Sequence, residues 1–144
     1  MSDIKIVSEK ELLLLPHKDC VRFALFCAEQ VKDSWKDIPE CVRAIETTER
    51  WLEGKASAEE CKVAAYAADA HAAAHATDDA SHAAAYATYA AYAYAAYAAA
   101  AYSANAAHTA AYGNPHLIEA QWEYYLELLH FDDIAEKALL GGVV

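Results

Sequence analysis

The feature that most constrains this chain is the uncharged segment from Ala80 to Ile118, which consists largely of alanine and tyrosine. Alanine has the highest intrinsic helix propensity, and the whole chain carries only four glycines and three prolines. No stretch alternates apolar and polar residues with the period of two that marks a half-buried strand. We therefore predict an all-α fold in a single domain, since 144 residues are enough for one buried core.

Helix boundaries are marked by capping residues and helix breakers. Ser8 and Ser57 are each followed three residues later by glutamate, which is a capping box. Gly54 and Gly113 are placed as C-terminal stops. The predicted helices span residues 9–15, 17–33, 40–53, 58–76, 80–112, 115–131 and 134–140. Short connections between successive helices predict antiparallel neighbours, hence an antiparallel helical bundle.

The predicted helix 80–112 would be about 50 Å long at ~1.5 Å per residue. Its tyrosines do not form one stripe, because at the helical period of about 3.6 residues they point nearly all round the helix. A helix that is apolar on every side is normally surrounded by other helices. We expect it at the centre of the bundle, with each tyrosine ring filling a gap and each hydroxyl bonded to a partner.

The sequence favours a cytoplasmic protein over a membrane protein. The segment Ala80–Ile118 is long enough to span a bilayer, but it almost lacks leucine, isoleucine, valine and phenylalanine and would gain little from lipid. Met1–Val7 is too polar for a signal peptide. The chain has no Cys-x-x-Cys pair, so its cysteines are interpreted as free thiols in a reducing compartment. They are Cys20, Cys27, Cys41 and Cys61.

The formal net charge of −11 is spread unevenly along the chain. Residues 1–62 contain 13 acidic and 10 basic residues, a net −3. Residues 63–144 contain 9 acidic residues and one base, Lys137, a net −8. A nucleic-acid binder needs clustered lysine and arginine to displace counterions from phosphates. DNA and RNA are therefore not expected as direct ligands.

Three glutamates form a row on the predicted helix 115–131. Glu119, Glu123 and Glu127 are spaced four residues apart, with no lysine or arginine within reach along the helix. Like charges at this spacing destabilise a helix by roughly a few tenths of a kcal/mol each. The row is interpreted either as an ordinary solvated face or as a docking surface for a basic partner, because opposite potentials speed encounter and set register.

Histidines supply the candidate metal ligands. His71 and His75 lie four residues apart, a spacing at which two imidazoles can chelate a metal, and His82 follows nearby. A zinc protease would have glutamate after the first histidine, where this chain has Ala72. The alternatives are core histidines bonded to tyrosine hydroxyls, or solvent-facing ones. No phosphate loop or nucleophile elbow is present. We predict no catalytic residue and no cofactor.

Several segments, taken in order, resemble a single family. They are Cys27–Val31, Arg43–Glu46, Trp51–Gly54, Ser57–Glu60 and Glu119–Trp122, and the alanine-rich helix with His71 before Asp78 and Asp79 lies among them. The series covers residues 20–125 in round numbers. It resembles the immunity proteins of bacterial polymorphic-toxin systems, specifically the immunity-five-like group.

The resemblance implies a cytoplasmic antidote that binds and blocks a toxin domain, often a nuclease. The acidic second half of the chain is consistent with a basic substrate cleft as the target. The predicted partner-binding residues are Asp78, Asp79, Glu119, Glu123 and Glu127. The alternative hypothesis is a metal-dependent enzyme, or a protein that sequesters a small molecule, built on His71, His75 and the tyrosine hydroxyls. Self-association through an exposed alanine face stays open.

Overall fold

The computed structural model describes residues 5–75, 82–93, 96–111 and 114–139. Every regular element within these ranges is an α-helix, which confirms the all-α prediction. In chain order the helices are α1 (Glu9–Leu12), α2 (His17–Gln30), α3 (Lys32–Trp35), α4 (Pro39–Leu52), α5 (Ala58–His75), α6 (Ala83–Tyr92), α7 (Ala96–Ala111) and α8 (Pro115–Leu139).

The caps predicted at Ser8, Ser57 and Gly54 are present, and the predicted stop at Gly113 lies outside the described residues. Ser8 Oγ accepts a hydrogen bond from the backbone N–H of Glu11, and the Glu11 carboxylate accepts one from the Ser8 N–H at 2.9 Å. Ser57 and Glu60 form the same reciprocal pair, with both bonds at 3.1 Å. Gly54 follows α4 with φ +76°, a left-handed conformation that glycine adopts without strain. These groups satisfy backbone atoms that a helix end leaves unpaired.

Helix α6 lies at the centre of the bundle. It packs against α2, α4, α5 and α7, and eight of its ten residues are buried. Alanine side chains allow neighbouring helices to approach closely, because the distance between helix axes depends on the side chains at the contact. The prediction that the alanine- and tyrosine-rich segment is surrounded by other helices is confirmed for this part of it.

The single helix predicted for residues 80–112 is wrong. Helix α6 ends at Tyr92, and Ala93 is extended (φ −63°, ψ 134°). Helix α7 then packs back against α6, with the ring of Tyr89 stacked on that of Tyr102 at 5.2 Å. A straight helix would reach about 50 Å, beyond a compact domain of this size, whose radius of gyration is about 15 Å. Folding back buries alanine surface that a straight rod would expose.

The break also bears on the membrane question. No helix in the described ranges is both long and apolar enough to cross a membrane. The two pieces of the alanine- and tyrosine-rich segment lie against each other inside the bundle, so each supplies part of the other's apolar surroundings.

The first helices are shorter than predicted. Helix α1 ends three residues early, and the helix predicted for 17–33 ends at Gln30 because Val31 leaves the helical region (φ −119°, ψ 31°). The short helix α3 follows, and the indole Nε1 of Trp35 donates a hydrogen bond to the Ala28 carbonyl at 2.8 Å. Burial of this tryptophan against the end of α2 outweighs the propensity to continue one helix.

The last helix is longer than predicted. The sequence predicts separate helices over 115–131 and 134–140 with a cap at Asp132 or Asp133, but α8 continues unbroken to Leu139. The predicted break is therefore wrong. Aspartate inside a helix costs less than about 1 kcal/mol relative to alanine, which is too little to interrupt a helix that contains neither glycine nor an internal proline.

A buried threonine pair joins α4 to α6. Thr48 and Thr88 are both 0% exposed, and their hydroxyl oxygens lie 2.9 Å apart. Each hydroxyl also lies within hydrogen-bond distance of a carbonyl one turn earlier on its own helix, Ala44 O for Thr48 and Ala84 O for Thr88. The pair thus places two satisfied polar groups in an otherwise apolar contact between helices.

We expect Thr48→Val and Thr88→Val each to lower the free energy of unfolding by about 1 kcal/mol, because each removes a buried hydrogen bond while nearly preserving side-chain shape. The decrease in the free energy of unfolding of the double variant should be smaller than the sum of the two single decreases, since each single variant already removes the same hydroxyl–hydroxyl bond. Urea denaturation at neutral pH measures the three values. Strictly additive losses would show that the two hydroxyls act independently.

Candidate functional site

Helix α8 has one packed face and one exposed face. On the packed face, Gln121 and Tyr125 are 0% and 2% exposed. On the other face, Glu119, Glu123 and Glu127 are all exposed. The predicted row of glutamates is therefore on the surface, where a partner could reach it.

Buried hydrogen bonds hold α8 in place under this row. The Gln121 side-chain amide donates to the side-chain oxygen of Gln30 at 3.0 Å and to the Ala107 carbonyl at 3.2 Å. The Tyr125 hydroxyl donates to the Glu11 carbonyl at 2.8 Å. These contacts tie α8 to α1, α2 and α7, so the core sets the position of the exposed carboxylates.

The carboxylates of the row have no ion-pair partner among the described residues. Leu126 lies between them in sequence, and it is 54% exposed. We call this surface, formed by Glu119, Glu123, Leu126 and Glu127, the acidic α8 face. The other two predicted partner-binding residues, Asp78 and Asp79, lie outside the described residues.

The three candidate metal-binding histidines are not brought together by the described part of the structure. His71 Nδ1 lies 3.3 Å from Glu40 Oε1 on α4 and its side chain is 43% exposed, so this histidine is not in the core. His82 Nδ1 lies 3.1 Å from Asp69 Oδ1 on α5. The side chain of His75 is outside the described set. Within the residues that the structure describes, no three histidine, cysteine, aspartate or glutamate side chains are placed to hold a metal ion.

Asp69 instead links α5 to α6. One carboxylate oxygen lies beside His82, and the other accepts a hydrogen bond from the Tyr89 hydroxyl at 3.2 Å. Around Tyr89 lie four further tyrosine rings, with centroids 5.2 to 6.4 Å from its own. We call these five residues the tyrosine cluster: Tyr66, Tyr86, Tyr89, Tyr92 and Tyr102. Such ring distances are typical of favourable aromatic packing.

The hydroxyls of this cluster are hydrogen-bond donors rather than bases. Burial, and then the charge of Asp69, raise the pKa of Tyr89. A hydrogen bond with Tyr66, together with burial and the nearby Tyr102, raises the pKa of Tyr92 to about 12. Both phenols therefore stay protonated at neutral pH, and the chemistry of the cluster is packing and hydrogen bonding.

Asp69 is a functional position that the sequence analysis does not single out, although the sequence carries a signal for it. It is the only Asp, Glu, Lys or Arg between Val63 and His75. A lone charge in an alanine-rich helix that packs on a tyrosine-rich helix suggests a phenol as its partner. Periodicity alone could not identify which tyrosine.

The cysteines offer no reactive thiol. None of the four forms a disulfide, and all four are buried. Burial raises the pKa of Cys20, Cys41 and Cys61 to about 11 and that of Cys27 well above its ordinary value. Since the thiolate is the nucleophile, these side chains act as small apolar groups.

Comparisons with family models, with curated proteins and with solved structures find no match to this chain. The functional argument therefore rests on the surfaces and side-chain contacts described above.

We expect Asp69→Ala to lower the free energy of unfolding by about 1 kcal/mol, because it removes the acceptor of a part-buried hydrogen bond from the Tyr89 hydroxyl. Asp69→Asn keeps an acceptor and should lose less. Asp69→Asn should also move the ionisation of Tyr89 to lower pH, since the negative charge that raises the pKa of this phenol is gone. Urea denaturation and ultraviolet titration of the phenols measure the two effects.

Asp33→Ala is the matched control for stability, because Asp33 is exposed and paired only with the exposed Lys36. We expect this variant to lower the free energy of unfolding by no more than about 0.5 kcal/mol. A loss for Asp69→Ala as small as that of the control would contradict the linking role of Asp69.

Proposed function

We propose that this chain is an immunity-type antidote that binds a toxin domain through the acidic α8 face. The observation that carries the proposal is the row of three exposed carboxylates, Glu119, Glu123 and Glu127, on a helix whose opposite face is held by the core. None of the three is neutralised by a described basic side chain. A partner with a basic surface would supply the missing charge.

The geometry of the row favours a protein partner. At ~1.5 Å per residue, successive carboxylates are about 6 Å apart along the helix axis, which gives a line of negative potential on a rigid support. Such a line speeds diffusional encounter with a positive surface and fixes register. Because α8 is already ordered, little conformational entropy is lost on docking. A nuclease domain suits this surface, since it binds phosphates through lysine and arginine.

The resemblance of several sequence segments to immunity proteins is a second, separate support for the proposal. Most of its segments fall on core and cap positions: Cys27 and Ala28 are buried in α2, and Ser57–Glu60 caps α5. These segments favour a shared fold. Glu119–Trp122 is the exception, because it begins with the first carboxylate of the acidic α8 face. Buried cysteines without disulfides fit a reducing compartment, so the proposal places the interaction in the cytoplasm.

The test uses the toxin domain encoded beside this gene, expressed as an inactive variant for binding and as the active form for rescue of growth. We expect the variant E119K/E123K/E127K to associate with it at least about tenfold more slowly at low salt, because steering by the row is reversed. The dependence of the rate on salt should weaken, and protection of cells should fall. Stopped-flow fluorescence and growth assays provide the readouts.

The matched control is E9K/D37K/E59K, which makes the same change in net charge at three exposed acids elsewhere on the surface. Circular dichroism checks that both variants fold. An α8 variant that associates as fast as the wild type, or a control that slows association equally, would count against this docking face.

A further inference from the structure

A shallow groove runs along α4 on the side that faces α2 and α3. It consists of two adjoining depressions whose walls share Glu46 and Glu49. Its base is apolar: Val42 and Leu52 line it and are partly exposed, next to the nearly buried Leu25. We call this feature the α2–α4 groove. It is separate from the acidic α8 face, because none of the side chains that line it belongs to α8.

Four glutamates line the groove: Glu29, Glu46, Glu49 and Glu53. Burial, and then the charges of the other three, raise the pKa of Glu49, and Lys32 opposes this less strongly than any of them. The pKa is raised because the folded chain holds like charges close together beside apolar surface. An added cation between these side chains would relieve that repulsion.

Besides Lys32, two basic side chains line the groove, and both already form ion pairs with carboxylates outside it. Lys36 Nζ lies 3.1 Å from Asp33 Oδ1, and Arg50 Nη2 lies 3.6 Å from Glu60 Oε2. By contrast, Glu46 and Glu49 have no ion pair with any residue in the described ranges. The lining is therefore acidic on balance, because it contains four glutamates and three basic side chains, and two of those bases are paired with carboxylates outside it.

We propose that the α2–α4 groove docks a basic segment of the same partner protein, with a lysine or arginine side chain lying along it. The aliphatic stem of such a side chain covers the apolar surface of Leu52, while its charged head meets Glu46 and Glu49. Long basic side chains combine an apolar stem and a cationic head in this way. This inference rests on the proposed function for the identity of the partner, but it concerns a different surface.

An organic cation fits the groove better than a metal ion does. No described set of three metal-ligating side chains is placed around a common point. The apolar base also offers nothing to a hydrated metal, whereas a methylene stem gains from covering it. Charge and apolar surface together therefore select lysine or arginine.

The probe is a short helical peptide with lysines on one face, labelled for fluorescence anisotropy. A second peptide carries 2,3-diaminopropionic acid at the lysine positions, which keeps the charges but shortens the stem. We expect E46Q/E49Q to weaken binding of the lysine peptide about tenfold, because two attractive charge contacts are lost. The matched variant E9Q/E59Q, which removes two exposed carboxylate charges outside both acidic surfaces, should change this affinity less than twofold. The short-stem peptide should bind the wild type more weakly than the lysine peptide does.

Three results would overturn the groove proposal: no binding of the lysine peptide, equal weakening by both glutamine variants, or equal affinity for the two peptides. The toxin-association assay distinguishes this failure from failure of the proposed function. If E119K/E123K/E127K slows association with the toxin domain but the peptide gives any of these three results, only the groove proposal is rejected. If neither the α8 nor the groove variant affects the toxin while the peptide binds as expected, the toxin assignment falls and the groove remains a site for basic segments.

Discussion

Close packing of alanine around helix α6 is the interaction on which the rest of the structure depends. Each alanine buries little apolar surface, so a helix made largely of alanine gains enough only when neighbours enclose it on every side. Helices α2, α4, α5 and α7 provide that enclosure. The few polar groups inside must then find partners within the contact, as Thr48 does with Thr88 and Tyr89 does with Asp69.

This arrangement leaves the charged residues to the outer helices. The segment that forms α6 and α7 contains no lysine, arginine, aspartate or glutamate, so the charged groups lie on the helices around it. Two acidic surfaces result, the acidic α8 face and the α2–α4 groove. They belong to different helices, but Gln30 of α2, next to Glu29, accepts a hydrogen bond from Gln121 of α8. One rigid framework therefore supports both surfaces.

The two surfaces differ in how far sequence could predict them. The row on α8 repeats every fourth residue within one helix, so helical geometry alone places its carboxylates on one side. The groove combines Glu29 with Glu46 and Glu49, which are brought together only when α2 and α4 pack. The nearly balanced charge of the first half of the chain gave no indication of this groove. Lys36 and Arg50 offset glutamates in that balance, but each of them is paired with a carboxylate outside the groove. The partner of Asp69 could not be predicted either, because Tyr89 meets it only when α5 and α6 pack.

By itself the sequence determined the helical class, the capping boxes at Ser8 and Ser57, the stop at Gly54 and the side of α8 that faces water. All of these follow from interactions between residues a few positions apart. The continuation of α8 through Asp132 and Asp133 is also local, because aspartate costs too little to end a helix. Tertiary structure decided that the segment 80–112 folds back at Ala93 and that His71 and His82 contact different carboxylates. At the fold-back, local propensities differ by about 1 kcal/mol or less per residue, and burial against other helices outweighs them. The histidine contacts join different parts of the chain, so only packing brings them together.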